Sequence, residues 1–380
     1  MIIAIPAEVF PGERRVALVP ESAQRLLAKG VTLRIQSGAG QGAWFADDDY
    51  RRVGAGIESA AGPLLAQADV VVKIHAPTIA EVEQLRRGAT LVCLLYPQRH
   101  PEVARRLAAC RITTIAMENL PRTTIAQAMD VLSSQSTVAG YRAVILAASA
   151  LAKFFPMLMT PAGTIAPARV LVLGAGVAGL QAIATARRLG AAVEAFDVRP
   201  AVRQEVESLG AKFITGETID DVATAEGYAR QLTDDVLRRV RAIIQPSLAN
   251  CDVCITSALV PNQRAPILLT RDMVQRMRPG SVIVDLAGEQ GGNCELTEAG
   301  KDVLRHGVMI FGRLNLPSEL SIDASRMYSR NIEKLILHFY RDGILRLDFR
   351  DEITQRCIVT HDGEIVSAQL RQALAVGRGD

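Results

Sequence analysis

Short runs of β-branched and aliphatic residues recur along the chain, separated by stretches in which apolar positions return every three or four residues. Residues 2–5, 31–36, 70–74, 90–95 and 112–116 predict strands. Between them lie helical patterns. In residues 20–29, Pro20 suits a first helical turn, Ala23, Leu26 and Leu27 form an apolar stripe, and Gly30 closes the segment. Residues 101–109 repeat the pattern. Strands alternating with helices predict a parallel sheet with helical crossovers. This first series carries no glycine fingerprint.

A long helical stretch, 133–155, ends at Pro156, and a connector with Pro161, Gly163 and Pro167 follows. A second alternating series then begins at Arg169, with strands predicted at 170–173, 192–196, 212–215, 252–257, 281–286 and 308–311. Residues 214–233 break the rhythm. They are acidic and rich in small residues, and so long an irregular segment inside a domain reads as a functional loop. The tail predicts a helix at 325–340 and a hairpin turning at Asp362-Gly363. It is too short to fold alone and is expected to return to the first lobe. The chain thus predicts two doubly wound α/β lobes with a cleft between them. Lobe one is 1–132 plus 312–380, and lobe two is 133–311.

Composition narrows the classes. Hydrophobic residues make up 49% and charged residues 22%, which excludes a disordered chain, a coiled coil or a collagen-like repeat. The 43 basic and 40 acidic residues interleave, and aromatics are only 4%, so nucleic acid is not an expected partner. The longest uncharged run, 170–186, has three glycines and switches period from 2 to 3.6. It reads as strand–turn–helix rather than a membrane span. Glu8 interrupts any leader-like apolar core, and the six cysteines are scattered, so a reduced, cytoplasmic protein is expected.

The strongest motif lies in that uncharged run. Gly174-Ala175-Gly176-Val177-Ala178-Gly179 follows the strand ARVLVL and opens the helix LQAIATARRLG. Gly174 permits a tight turn, Gly176 lets backbone approach a pyrophosphate, and Gly179 lets helix sit close on strand. The helix N-terminus then favours the anion. Asp197 stands at the end of the next strand, where a carboxylate accepts from ribose hydroxyls and repels a 2′-phosphate. Arg199 is discordant, because a basic residue there could accept that phosphate. With Asp197 in place, NAD is the expected dinucleotide.

A second cluster, Arg122, Gln127, Asp130 and Ser133, lies between the last strand of lobe one and the long helix. Its donors and acceptors suit a carboxamide and its ribose. A plain helix start, with Ser133 as N-cap and Arg122 and Asp130 as a solvated ion pair, fits equally well. The five histidines are scattered outside any catalytic frame. His75 is the one cleft candidate, and Lys73 nearby is more suggestive. Cys251 and Cys254 read as buried thiols, since one pair cannot complete a zinc site. No metal site is expected. Glu289, in the glycine-paired loop 285–294, is either a cleft carboxylate or merely exposed.

PGERRVALVPE, SSQSTVAGYRAV, GAGVAGLQAIATARRLGA, VESLGAKF and PGSVIVDLAGEQGGNCE occur in this order. Together they resemble the NAD(H)-binding alpha subunit, in its separate-subunit form, of the proton-translocating NAD(P) transhydrogenases. That family shares its fold with alanine dehydrogenase. The resemblance implies that Arg122, Gln127, Asp130 and Ser133 surround the nicotinamide, and that Gly227-Tyr228 lies in a mobile loop. It also implies that Val177, Asp197, Val198, Arg199 and Leu259 line the cofactor. The implied function is direct hydride transfer between NADH and NADP held by a partner subunit, coupled to proton movement. Membrane-spanning and NADP(H)-binding subunits are the implied partners. The implied form is a homodimer docked on the cytoplasmic face of a membrane through those subunits.

Two alternatives are an alanine-type amino-acid dehydrogenase and a non-catalytic NAD-binding module. Against the former, alanine dehydrogenase has a catalytic histidine after the fourth predicted strand, where this chain reads Leu94-Leu95-Tyr96-Pro97. Its active-site aspartate is Glu289 here. A relay through Tyr96 or His75 would be needed instead.

Overall fold

The computed structural model describes residues 1–215, 233–260 and 263–376. The chain forms two compact units, Met1–Gln135 with the chain from Ser318 onward, and Ser136–Pro317. These divisions fall a few residues later than 132/133 and 311/312.

The first unit is built on an eight-stranded sheet. Its order is Glu364–Ile365, Ile358–His361, Thr113–Ala116, Thr90–Leu94, Val70–His75, Ile2–Ile5, Thr32–Gln36, Gly56–Glu58. The six strands from Thr113–Ala116 onward pair in parallel. The tail strand Ile358–His361 joins antiparallel to Thr113–Ala116, and its hairpin turns at Asp362-Gly363 with both residues at positive φ. The expected return of the tail is therefore made by a shared sheet. Ile3, Ile5, Val70, Val72 and Ile74 pack on one face with Tyr328, Ile332, Leu335 and Ile336. Ala4, Val71, Leu91 and Cys93 pack on the other with Leu64, Leu65, Val82 and Leu107. Burial of both faces is why central strands such as Ile2–Ile5 and Thr90–Leu94 read as largely apolar runs.

The helix Ser321–Phe339 starts four residues before its expected position and forms the spine of this unit. Ser325 and Ser329 accept from the backbone N–H groups of Val16 and Val19, each at 3.0 Å. Tyr328 donates to the Lys73 carbonyl at 2.8 Å, and Asn331 to the Ala128 carbonyl at 2.9 Å.

The second unit carries a seven-stranded sheet. Its order is Lys212–Phe213, Ala192–Phe196, Arg169–Leu173, Val253–Thr256, Val282–Asp285, Val308–Phe311, Asp302–Arg305. All neighbours are parallel except the last pair. From the central strand Arg169–Leu173 the chain builds outward on one side, then returns to build on the other. The crevice at that reversal is where open α/β sheets bind ligands.

The helix Val131–Ala150 begins two residues before the expected 133 and ends before Phe155. Past it, the connector forms a small antiparallel ribbon, Leu158–Thr160 with Gly163–Ile165. Among the described residues no helix is long and apolar enough to cross a membrane.

Candidate functional site

The turn after the central strand of the second unit has the geometry of an anion cradle. Gly174 sits at φ 96°, the left-handed region that glycine reaches without strain. A Cβ on Gly179 would stand 1.8 Å from the Gly174 carbonyl oxygen, so the helix Val177–Arg188 rests directly on the turn. A Cβ on Gly176 would meet nothing within 4 Å. The backbone there faces open space at the N-terminus of a twelve-residue helix, where N–H groups and the helix dipole favour a phosphate. Gly140 of the long helix packs against the first turn of the helix Val177–Arg188, where a Cβ would stand only 2.1 Å from the Ala178 carbonyl oxygen.

Asp197 follows the neighbouring strand and ties it to this turn. Its Oδ2 accepts from the Ala175 backbone N–H at 2.7 Å. Arg199 donates to the same carboxylate from its backbone N–H at 2.9 Å, from Nε at 2.9 Å and from Nη2 at 2.8 Å. The hydrogen bond to Asp197 raises the Arg199 pKa above its ordinary value. Arg199 is thus the ion-pair partner of Asp197, an arrangement that spacing alone leaves open.

On the other side of the central strand, Ser257 donates to the Gly174 carbonyl at 3.1 Å. Leu259, two residues on, is exposed, as is Val177. Ala258 is held through both backbone groups by Asn293. Its N–H donates to Asn293 Oδ1 at 3.0 Å, and its carbonyl accepts from Nδ2 at 2.8 Å. Asn293 is in turn fixed by Asp285, which is fully buried and accepts from the Asn293 and Cys294 backbone N–H groups. Sequence reasoning singled out the loop 285–294 but assigned no role to Ser257, Asp285 or Asn293 themselves. The signal it had was the paired glycines beside Asn293, which mark a tightly folded loop.

Gly174–Gly179, Asp197, Val198, Arg199 and Leu259 therefore gather at the carboxyl edge of one sheet. Gly227 and Tyr228 lie outside the described residues. Glu289 is exposed, in the turn Gly288–Gln290. Cys251 and Cys254 are buried free thiols, and burial pushes Cys251 up to about 12.

In the first unit, Asp130 and Ser133 come together and Arg122 and Gln127 are exposed. Asp130 Oδ1 accepts from the Ser133 backbone N–H at 2.9 Å, and Oδ2 from the Ser133 hydroxyl at 2.6 Å. The capping side chain is therefore Asp130 and not Ser133, which moves the helix start forward. Ala126 and Met129 are buried beneath this turn, and Asn331 holds its backbone.

The same unit buries a charged network at the carboxyl ends of its strands. Glu13 accepts from Arg15 and pairs with His75 at 2.6 Å, and Phe10 stacks on the His75 ring at 4.3 Å. Burial opposes ionisation of Glu13, but hydrogen bonds from Arg15 and His75 outweigh it and hold its carboxyl far below the usual range. Lys73 pairs with Glu81 at 2.5 Å. Burial pushes Glu118 up to about 7 against the backbone N–H groups of Tyr96 and Leu95 that donate to it. His75 and Lys73 are thus engaged by internal carboxylates.

Two family models span nearly the whole chain: "Alanine dehydrogenase/PNT, N-terminal domain" over residues 4–139 and "Alanine dehydrogenase/PNT, C-terminal domain" over 143–368. The chain belongs to the alanine dehydrogenase/PNT family. Within this family it is 47% identical to an NAD(P) transhydrogenase subunit alpha protein of Rhodospirillum rubrum, over 97% of this chain and 99% of that protein. It is 30% identical to the alanine dehydrogenase of Halomonas elongata, over 99% and 97% respectively. The crystal structure of transhydrogenase from Sinorhizobium meliloti matches with a TM-score of 0.85 and 40% identity, covering 97% of this chain and 100% of that one. A structure of L-alanine dehydrogenase matches with a TM-score of 0.84 at 26% identity, covering 99% of each. The two branches share the family fold, and identity is higher on the transhydrogenase side.

Proposed function

We propose that the chain is the NAD(H)-binding subunit of a proton-translocating NAD(P) transhydrogenase. In this reading it passes hydride directly between NADH and NADP held by a partner subunit. The observation that carries the reading is the open backbone cradle at Gly176, with Asp197 one strand away. NAD(H) supplies the hydride when bound. Gly174–Gly179 bind its pyrophosphate, Asp197 orients the adenosine ribose, and Val177, Val198 and Leu259 give apolar contact. Arg122, Gln127, Asp130 and Ser133 position the nicotinamide. Hydride transfer between two nicotinamides moves no substrate proton, so no acid or base is required. This accords with a His75 paired with Glu13 and with Leu94-Leu95-Tyr96-Pro97 in the stretch where alanine dehydrogenase has its histidine. The work of the protein is positioning and exclusion of water.

The partners in this reading are a membrane-spanning subunit and an NADP(H)-binding subunit. They hold the chain on the cytoplasmic face of the membrane. A homodimer is part of the same proposal. Apolar surface on and beside the small ribbon, Met157 at 57% and Met159 at 78% exposure, supports it.

NADH fluorescence of the purified chain tests the reading. NADH is expected to bind, and its amount to stay constant on adding pyruvate and ammonium; alanine with NAD should yield none. Hydride transfer begins on adding NADP with transhydrogenase partner subunits. Consumption or formation of NADH by the chain alone would establish an amino-acid dehydrogenase instead. Binding without transfer in the complete assembly would establish a non-catalytic module.

Asp130 offers a finer test. Asp130→Asn keeps an oxygen for the Ser133 N–H while removing a charge beside the ring. Because NAD carries a positive ring charge that NADH lacks, the ratio of their affinities is expected to shift by about three- to tenfold toward NADH, roughly 1 kcal/mol. An unchanged ratio in equilibrium titrations would remove Asp130 from this role.

A further inference from the structure

The segment carrying Asp130 and Ser133 is held at both ends by one helix of the tail. Ahead of Asp130, the Ala128 carbonyl accepts from Asn331 Nδ2 at 2.9 Å. Beyond Ser133, Gln135 Nε2 donates to the Ala324 carbonyl at 3.1 Å, and its Oε1 accepts from Arg15 at 2.7 Å. Ala324 and Asn331 both belong to the helix Ser321–Phe339 and stand about two turns apart, roughly 10.5 Å along its axis. Ala126 and Met129 are buried in the same cluster as Tyr328, Ile332 and Leu335 of that helix. We propose that Asn331 is a positioning residue for hydride transfer: through Ala128 it sets where Gln127 and Asp130 stand, and so where the nicotinamide ring is held. The proposal rests on the function proposed above and on its placing of the nicotinamide at Arg122, Gln127, Asp130 and Ser133.

The side chain itself favours that role over a purely structural one. Asn331 is 8% exposed, and its buried Oδ1 has no hydrogen-bond partner among the described residues. Burying an amide oxygen without a partner costs about as much as one hydrogen bond contributes. The fold therefore gains little from this asparagine. A leucine of similar volume would forgo the Ala128 bond but also relieve the unpartnered oxygen. What the amide supplies is direction. It ties one carbonyl of a turn whose Gln127 and Ala128 are exposed to a helix that is buried along most of its length.

Direction matters because hydride crosses only a short, well-aligned gap. A misplacement of about 1 Å can cost about 100-fold in rate. In the proposed function most of the affinity for the dinucleotide comes from its pyrophosphate and adenosine, at Gly174–Gly179 and Asp197. Releasing the turn should therefore slow transfer and leave NADH binding nearly unchanged. That split separates a positioning residue from a binding one.

Asn331→Leu and Asn331→Asp both remove the donor, the first with an apolar group and the second with an oxygen of nearly the same shape. Tyr328→Phe is the control, since it removes a hydrogen bond from the same helix to the Lys73 carbonyl and not to the turn. Each chain would be assembled with NADP(H) and transhydrogenase partner subunits. Transfer would be followed with an NAD analogue whose reduced form absorbs at a distinct wavelength, and NADH affinity by fluorescence of the chain. Both Asn331 variants are expected to transfer hydride about 10- to 100-fold more slowly than wild type. Their Kd for NADH should stay within about threefold of the wild-type value, and Tyr328→Phe should keep the wild-type rate. Wild-type rates in both Asn331 variants, or failure of both to fold, would make Asn331 an anchor of the fold and overturn the proposal. So would an equal loss of rate in Tyr328→Phe, or a loss of NADH affinity in step with the rate. A wild-type chain that binds NADH but transfers no hydride in the complete assembly overturns the proposed function itself, and this role with it.

Discussion

Replacing Gly179 with alanine is expected to abolish useful NADH binding and to destabilise the second unit. The new Cβ would stand 1.8 Å from the Gly174 carbonyl oxygen and 2.9 Å from its carbon. Both are backbone atoms, so no side chain can rotate away. The helix Val177–Arg188 must lift from the turn, and its N-terminal N–H groups then no longer converge on the cradle. Overpacking of this kind costs about 1–3 kcal/mol. NADH affinity is expected to fall by about 100-fold, roughly 2.7 kcal/mol. Gly176→Ala separates the two effects. Its φ of −79° suits any residue and its Cβ meets no neighbour, so stability should change by less than about 0.5 kcal/mol. Binding should nevertheless weaken as much, because the methyl fills the space a pyrophosphate would occupy. Urea unfolding and NADH titration measure both quantities on the same samples. A Gly176→Ala protein that binds NADH as wild type does would remove the anion from this turn.

That contrast depends on distances, and distances mark where the sequence ceased to be informative. The parallel strands were legible because both faces of each sheet are buried, so Val170 to Leu173 or Val70 to Val72 read as continuous apolar runs. The fingerprint was legible because each glycine answers a local need of backbone geometry. The edge strand Asp302–Arg305 was not, since only one neighbour pairs with it and its residues are mostly exposed. The ribbon at Leu158–Thr160 was hidden for the same reason, with little burial to impose alternation. The start of the long helix was missed because Asp and Ser are both good caps, and only the bonds to Ser133 decide between them. Arg199 was legible as a nearby cation but not as a bound one. A two-residue separation does not say whether a guanidinium turns back on its neighbour. The contact of Ser257 with Gly174 left no local trace, and the paired glycines beside Asn293 marked a tight loop without revealing its bonds to Ala258.

Asp285 shows how much such a distant contact can carry. It is fully buried, and it gathers donors from three segments. Oδ1 accepts from the Thr256 hydroxyl and the Ala287 N–H, both at 3.0 Å. Oδ2 accepts from Asn293 N at 2.8 Å, Cys294 N at 3.1 Å and the Thr297 hydroxyl at 2.6 Å. Asp285→Ala would strand three backbone N–H groups away from water. Each unsatisfied group costs about 1–3 kcal/mol, although relaxation shares the loss, so a total of roughly 4 kcal/mol is expected. Asp285→Asn preserves shape and keeps one oxygen, but turns an NH₂ toward N–H donors. About half that loss, roughly 2 kcal/mol, is expected from it. The consequence for function follows from Asn293, which holds both backbone groups of Ala258. Once Asn293 is released, the segment carrying Leu259 loses its position beside the Gly174 turn. NADH affinity should therefore fall in Asp285→Asn by about tenfold even at temperatures where the variant is folded. Folding is followed by urea unfolding, and binding by NADH fluorescence below the transition. If Asp285→Asn binds NADH as tightly as wild type while losing stability, the network supports the fold alone. The position of Leu259 is then set by Ser257 and the central strand.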